Sequence, residues 1–130
     1  MAEAIARCNA ADVIEPSSAG LYPLGHLAGP TIDALVTNGY SVAGLASKFI
    51  SREAVSRADL IVNLSGLPID PLFSSGPSRL SDGQRIENWD VSDPYGEEAA
   101  TYQRILEELE KRVQRLAGQL RTEIRSAHVP

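Results

Sequence analysis

The stretch Ile86-Glu87-Asn88-Trp89-Asp90-Val91-Ser92-Asp93-Pro94-Tyr95-Gly96 brings together residue types from which chemistry could be built. Pro94 fixes its own φ and biases Asp93 toward an extended backbone, so the Asp93 carboxylate should stand out at the end of the preceding strand with Tyr95 two positions on. That is a carboxylate presented on a rigid turn beside an aromatic ring. It is also an ordinary Asp-Pro-x-Gly turn, in which the Asp side chain bonds local backbone. The residues alone leave both readings open. Tyr22, in a loop rich in Gly and Pro, is either a wall of a pocket or a loop anchor. Cys8 is the single cysteine; a lone cysteine on a helix, without an electropositive setting, reads as a packed thiol rather than a nucleophile. Gly20-Leu21-Tyr22-Pro23-Leu24-Gly25-His26-Leu27 has the glycine spacing of a nucleotide-binding loop, but His26 and Leu27 stand where Lys and Ser or Thr are required. His26 and His128 lie far apart, and neither has a partner at ligand spacing, so no metal site and no cofactor is expected.

These side chains need elements to hold them. Ala2, Glu3, Ala4, Ile5, Ala6 and Arg7 read as helix from the first residue, although no capping residue precedes them. Val13-Ile14-Glu15-Pro16-Ser17-Ser18 is a short strand candidate. Pro30 suits a first helical position, Ile32, Leu35 and Val36 form an apolar face, and Asn38-Gly39 closes that helix. Residues 51–57 read as a second short helix capped by Ser51. It runs directly into Ala58-Asp59-Leu60-Ile61-Val62-Asn63-Leu64, whose nearly continuous apolar character suits a strand buried on both faces. Pro68, Pro71, Gly76, Pro77 and Gly83 then interrupt any regular pattern. Residues 84–89 give a last, weaker strand. From Glu97 onward Tyr102, Ile105, Leu106, Leu109, Val113, Leu116 and Leu120 recur at helical spacing, with Glu107–Lys111 and Glu108–Arg112 as i,i+4 pairs on the solvated side. Alternating helices and short strands indicate an α/β domain with a small doubly wound parallel sheet flanked by helices. In such sheets sites form beyond the carboxyl ends of the strands, where Asp93 and Ser65 both fall.

The 130 residues are 43% hydrophobic, enough for one domain with a real core, over residues 1–126, followed by a loose end at 127–130. Twelve basic residues against seventeen acidic ones give a net charge of −5, which argues against nucleic acid as a partner. No apolar run approaches the roughly 18 residues of a membrane span, and Met1-Ala2-Glu3 is not the basic opening of a signal peptide. One cysteine excludes an internal disulfide. A cytoplasmic protein without a membrane partner is expected.

In order, Met1-Ala2-Glu3-Ala4-Ile5-Ala6-Arg7, Ser17-Ser18-Ala19-Gly20, Ala58-Asp59-Leu60-Ile61 and Asp93-Pro94-Tyr95-Gly96 before a long terminal helix resemble the low-molecular-weight protein-tyrosine phosphatases and the arsenate reductases of the same fold. The resemblance covers essentially the whole chain, and the order of its weak motifs makes it specific. It implies a phosphotyrosine protein, or a small aryl phosphate or oxyanion, as partner. It also implies a first strand and a loop running from a nucleophilic cysteine to an arginine, placed ahead of the helix that begins like Met1-Ala2-Glu3-Ala4. The strand, nucleophile and arginine are not in this sequence, and Cys8 lies too far along its helix to replace them. By the same resemblance Asp93 is the general acid that protonates a departing phenolate, and Tyr22 and Tyr95 line the slot for the phenol ring. Trp89 ahead of Asp93-Pro94 leans toward the reductase branch, yet Ser65 stands at the first of its two further cysteine positions and Leu72 near the second, so an internal disulfide relay is not available. The chain as given is expected to be inactive, with two alternatives: an arsenate reductase using external thiols, or a non-catalytic binding module. The strands at 13–18 and 59–64 would each leave an unpaired edge open to self-association.

Overall fold

In the computed structural model, residues 1–20, 25, 27–67 and 84–128 are described. Among these described residues four helices and two strands follow in the order α1 (Ala2–Asn9), α2 (Gly29–Thr37), α3 (Arg52–Arg57), β1 (Leu60–Asn63), β2 (Arg85–Asn88) and α4 (Ala99–His128). Each helix has a local cause. Pro30 sits in the first turn of α2, where its missing N–H costs nothing, and Asn38 closes the helix by donating its side-chain amide to the Ala34 carbonyl at 2.7 Å. Ser51 accepts the Ala54 N–H at 3.1 Å and so caps α3. α4 runs for 30 residues on the apolar spacing seen in the sequence, and it continues through Ala127 and His128, into the segment expected to be loose.

β1 and β2 pair in parallel, with Leu60 opposite Arg85 and Ile61 opposite Ile86. Because side chains alternate, each face of the pair meets a different cluster. Leu60 and Val62 join the main core, where Ile5 of α1, Leu35 of α2 and Leu106 of α4 are fully buried. Ile61 and Ile86 meet Val55 of α3 on the other face. Helices therefore cover both sides of a small parallel sheet.

Two expectations are corrected. Residues 13–18 form no strand: Val13 and Ile14 donate to the Ala10 carbonyl at 3.0 and 2.8 Å, which prolongs the end of α1 as a turn. Pro16 supplies no N–H for a ladder, and among the described residues the only extended pairing nearby is the isolated parallel bridge between Gly20 and Phe49. The second correction concerns β1. It is shorter than the apolar run, and all four of its residues are only half-buried; among the described residues it has a single neighbouring strand.

Side-chain bonds tie the helices together. Glu3 is buried and fully partnered: it accepts from the Ser18 hydroxyl at 2.6 Å and pairs with Arg7, which donates to the Ala43 carbonyl at 2.6 Å. Tyr40, also buried, donates its hydroxyl to Glu110 of α4 and accepts from the Asn9 amide at 3.2 Å. Burial, and then the bond to Glu110, push the Tyr40 phenol above its ordinary value. Arg121 of α4 grips Asp12 through two bonds of 2.8 and 2.9 Å, holding the Asp12 carboxyl below its usual range. An arginine toward the C-terminal end of a helix is favoured by the macrodipole, but the bonds Arg121 makes here go to a distant carboxylate.

Candidate active site

The carboxyl ends of β1 and β2 stop side by side, at Asn63 and Asn88, and an amide network fixes them there. Asn63 donates from Nδ2 to the Asn88 Oδ1 at 2.9 Å and to the Leu67 carbonyl at 2.8 Å. Its Oδ1 accepts from the Ser65 backbone at 3.0 Å and from the Ser65 hydroxyl at 2.6 Å, while Ser65 Oγ accepts the Leu67 N–H at 3.1 Å. The turn closes through Gly66 at φ +75°, a left-handed conformation that glycine adopts without strain. Sequence reasoning singled out Ser65 alone; the missed signal was an asparagine at the last position of each of two strands.

After β2 the chain turns sharply at Trp89. This residue belongs to the core: it is 8% exposed, its Nε1 donates to Glu87 at 3.3 Å, and the Arg112 guanidinium stands 6.0 Å from the ring centroid. Asp93 follows on an exposed turn. One of its carboxylate oxygens accepts the Tyr95 N–H at 3.0 Å, and the turn is completed by Gly96 at φ +82°. The other oxygen has no partner among the described residues. The turn reading is met by this bond, and the second oxygen keeps its capacity to accept a further hydrogen bond. The Tyr95 ring is 63% exposed. Tyr22 and Leu72 lie outside the described residues.

Cys8 is exposed, so it is not the packed thiol that its helical position suggests. No group of three or more His, Cys, Asp or Glu converges on a metal site among the described residues. Nor is any described helix long and apolar enough to cross a membrane. Among the described residues two grooves, of about 500 and 250 Å³, lie between β2 and α4 and are walled by Arg85, Gln119 and Glu123 and by Glu87, Trp89 and Arg115 respectively. Both grooves are open, and neither Asp93 nor Ser65 is among their lining residues.

No curated protein sequence gives a significant match. Several solved structures share the fold. A protein tyrosine phosphatase superposes with a TM-score of 0.75 at 22% identity, over 94% of this chain and 86% of that one. An arsenate reductase in its phosphate-binding state gives 0.74 at 20% identity, over 92% and 86% of the two chains. The tyrosine phosphatase Wzb from Escherichia coli K30, in complex with sulphate, gives 0.74 at 16% identity, over 92% and 87%. At these identities the likeness is one of fold. The family model for low molecular weight phosphotyrosine protein phosphatases matches residues 1–126, nearly the whole sequence. With the order of motifs, the parallel strand pair and the turn at Asp93 in agreement with that match, the chain belongs to the low molecular weight phosphotyrosine protein phosphatase family.

Proposed function

We propose that this chain supplies the acid half of an aryl phosphate monoesterase, with Asp93 as the proton donor and Tyr95 and Tyr22 as flanking rings for a phenolic leaving group. The observation that carries the reading is the exposed Asp93 carboxylate, fixed through one oxygen by the Tyr95 N–H and free at the other. A phenolate whose conjugate acid has a pKa near ~10 departs poorly without a proton, and a carboxyl group on a rigid turn can provide one. The phosphate would be held and attacked by a loop running from a cysteine to an arginine. The 130 residues contain no such loop, since Cys8 is followed six positions later by Ile14. By themselves these residues lack the nucleophile and the phosphate cradle, and on this reading they turn over no phosphate ester. Ser65, engaged through its hydroxyl with Asn63 and Leu67, supports the phosphatase reading over a reductase with an internal cysteine relay. A single thiol fits a reducing, cytoplasmic setting.

The test uses leaving groups of graded acidity. The 130-residue chain should hydrolyse none of them. A protein extended at its N-terminus by a strand and a Cys-to-Arg loop should hydrolyse aryl phosphates, and Asp93→Asn should then lower turnover ~10²–10⁴-fold for phenyl or alkyl esters. For esters with acidic leaving groups the loss should be much smaller, because these depart without a proton. Phosphate binding should change little. Equal losses across the series would return Asp93 to a purely structural role in its turn.

A further inference from the structure

One side chain of α4 holds the turn that carries Asp93. The ladder ends at Trp89, whose N–H donates to the Asn63 carbonyl at 3.0 Å. Beyond that rung Val91 donates to the Trp89 carbonyl at 3.0 Å, the Tyr95 N–H reaches Asp93, and Glu97 donates to the Pro94 carbonyl at 2.9 Å. All three bonds lie within the segment, so they shape the turn without fixing where it stands. Packing adds little: of residues 90–96 only Val91 and Pro94 are half-buried. The external tie is Arg112. It sits beside Val113 and three residues from Leu109, both buried in the stripe that seats α4 on the core. Its Nη2 donates to the Asp90 carbonyl at 3.2 Å, one residue past the last rung, and its guanidinium stands against the Trp89 ring. Glu108, one turn earlier, accepts from Nη2 at 3.2 Å and from Nε at 3.4 Å, which orients the guanidinium. Among the described residues no other side chain of α4 hydrogen-bonds to residues 89–98.

We propose that Arg112 is the positioning residue of the proton donor: by tying the Asp90 carbonyl and the Trp89 ring to α4, it sets where the Asp93 carboxyl stands against the leaving oxygen. This rests on the reading of Asp93 as the acid. Asp93 is three residues from the tethered carbonyl, and Pro94 restricts the backbone just beyond it, so little slack separates the tie from the carboxyl. A general acid has to come within hydrogen-bond reach of the group it protonates, and a misplacement of about 1 Å can cost on the order of 10²-fold. Arg112 acts through the segment and not on the substrate. Its ion pair with Glu108 is partly exposed, so removing it should disturb the global fold little. Arg115 lines the same groove and makes no hydrogen bond to residues 89–98, which makes it the natural control.

Two measurements separate the tie from the chemistry. In the 130-residue chain Arg112→Met should lower the backbone NMR order parameters at Val91, Ser92 and Asp93 from about 0.85 toward 0.6, and leave those at Leu106 and Leu109 unchanged. In the N-terminally extended protein the same substitution should lower kcat for phenyl phosphate about 10–10²-fold, with KM and inhibition by inorganic phosphate unchanged. The loss should shrink for esters with acidic leaving groups. Asp93→Asn combined with Arg112→Met should be no slower than Asp93→Asn alone, because a residue that acts through another adds nothing once that one is gone. Arg112→Lys keeps the charge but loses the planar fork, so it should behave like Arg112→Met, whereas Arg115→Met should match the wild type in every readout. If Arg112→Met fails to fold, Arg112→Lys decides the question by the same measurements. Unchanged order parameters overturn the proposal. So do equal losses across leaving groups, or a further loss in the double variant, when Asp93→Asn alone shows the graded loss. If Asp93→Asn itself shows equal losses, the proposal falls with the reading of Asp93 as the acid, and the order parameters of the 130-residue chain tell a wrong acid from an absent tie.

Discussion

The half of the molecule built by α1, α2 and α4 and the half built by the strand pair and its carboxyl-end turns obey different rules. In the helical half Ile5, Leu35 and Leu106 are completely buried, and even the polar groups are partnered, Glu3 by Ser18 and Arg7 and Tyr40 by Glu110 and Asn9. In the strand half the buried side chains among the described residues are Val55 beneath one face and Trp89 at the end of β2, while Asp93, Tyr95 and Ser65 are exposed. Buried contacts are concentrated in one half and exposed polar side chains in the other. A carboxylate that must meet substrate has to be open to solvent, and the rigidity it needs can be lent by elements packed elsewhere.

This division can be broken by mutation. The largest effect should come from Leu106→Ala, which opens a cavity where three helices meet and should cost about 2–5 kcal/mol in chemical denaturation. Hydrogen exchange should then rise in α1, α2 and α4 together; a rise confined to α4 would show that the helical half is not one unit. Ser51→Ala removes the cap of α3 and should cost about 1 kcal/mol, with faster exchange at Val55 and Ile61 and little change at Leu35. If exchange rises equally in both halves, the comparison fails.

Tyr40→Phe should cost about 1 kcal/mol near neutrality, since the lost hydroxyl links α1 and α4 through Asn9 and Glu110. Its phenol is held above the ordinary value of 10.0, so its contribution is fully present below that pH and disappears as pH rises through the folded-state value. The gap in stability between wild type and Tyr40→Phe should therefore narrow in alkali; a constant gap would show that packing alone is involved. Asp12→Asn should have the smallest effect, because an exposed ion pair is screened. The Asp12 carboxyl is depressed from 3.8 by Arg121, so what it contributes is present above that pH and lost as pH falls through the folded-state value. A loss already evident at pH 6 would point to some other group.

Much of the helical half was legible in the sequence. The spacing from Tyr102 to Leu120 specifies one buried stripe on α4, Ser51 its cap on α3, and Pro30 with Asn38 the two ends of α2, since periodicity and capping act within a few residues of the chain. The ordered motifs also fixed the family and brought Asp93 and Tyr95 to attention. Only the tertiary structure decided the rest. Residues 13–18 have strand-forming side chains but no partner and a proline in their midst, so they follow α1 as a turn. Asn63 and Asn88 are unremarkable until a parallel register sets them side by side, and Arg121 looks like a helix-end charge until Asp12 arrives from 109 residues away. Local order is encoded in neighbours along the chain. Which edges pair, which charges meet and which carboxylate oxygen stays free depend on contacts that form only once distant segments have packed.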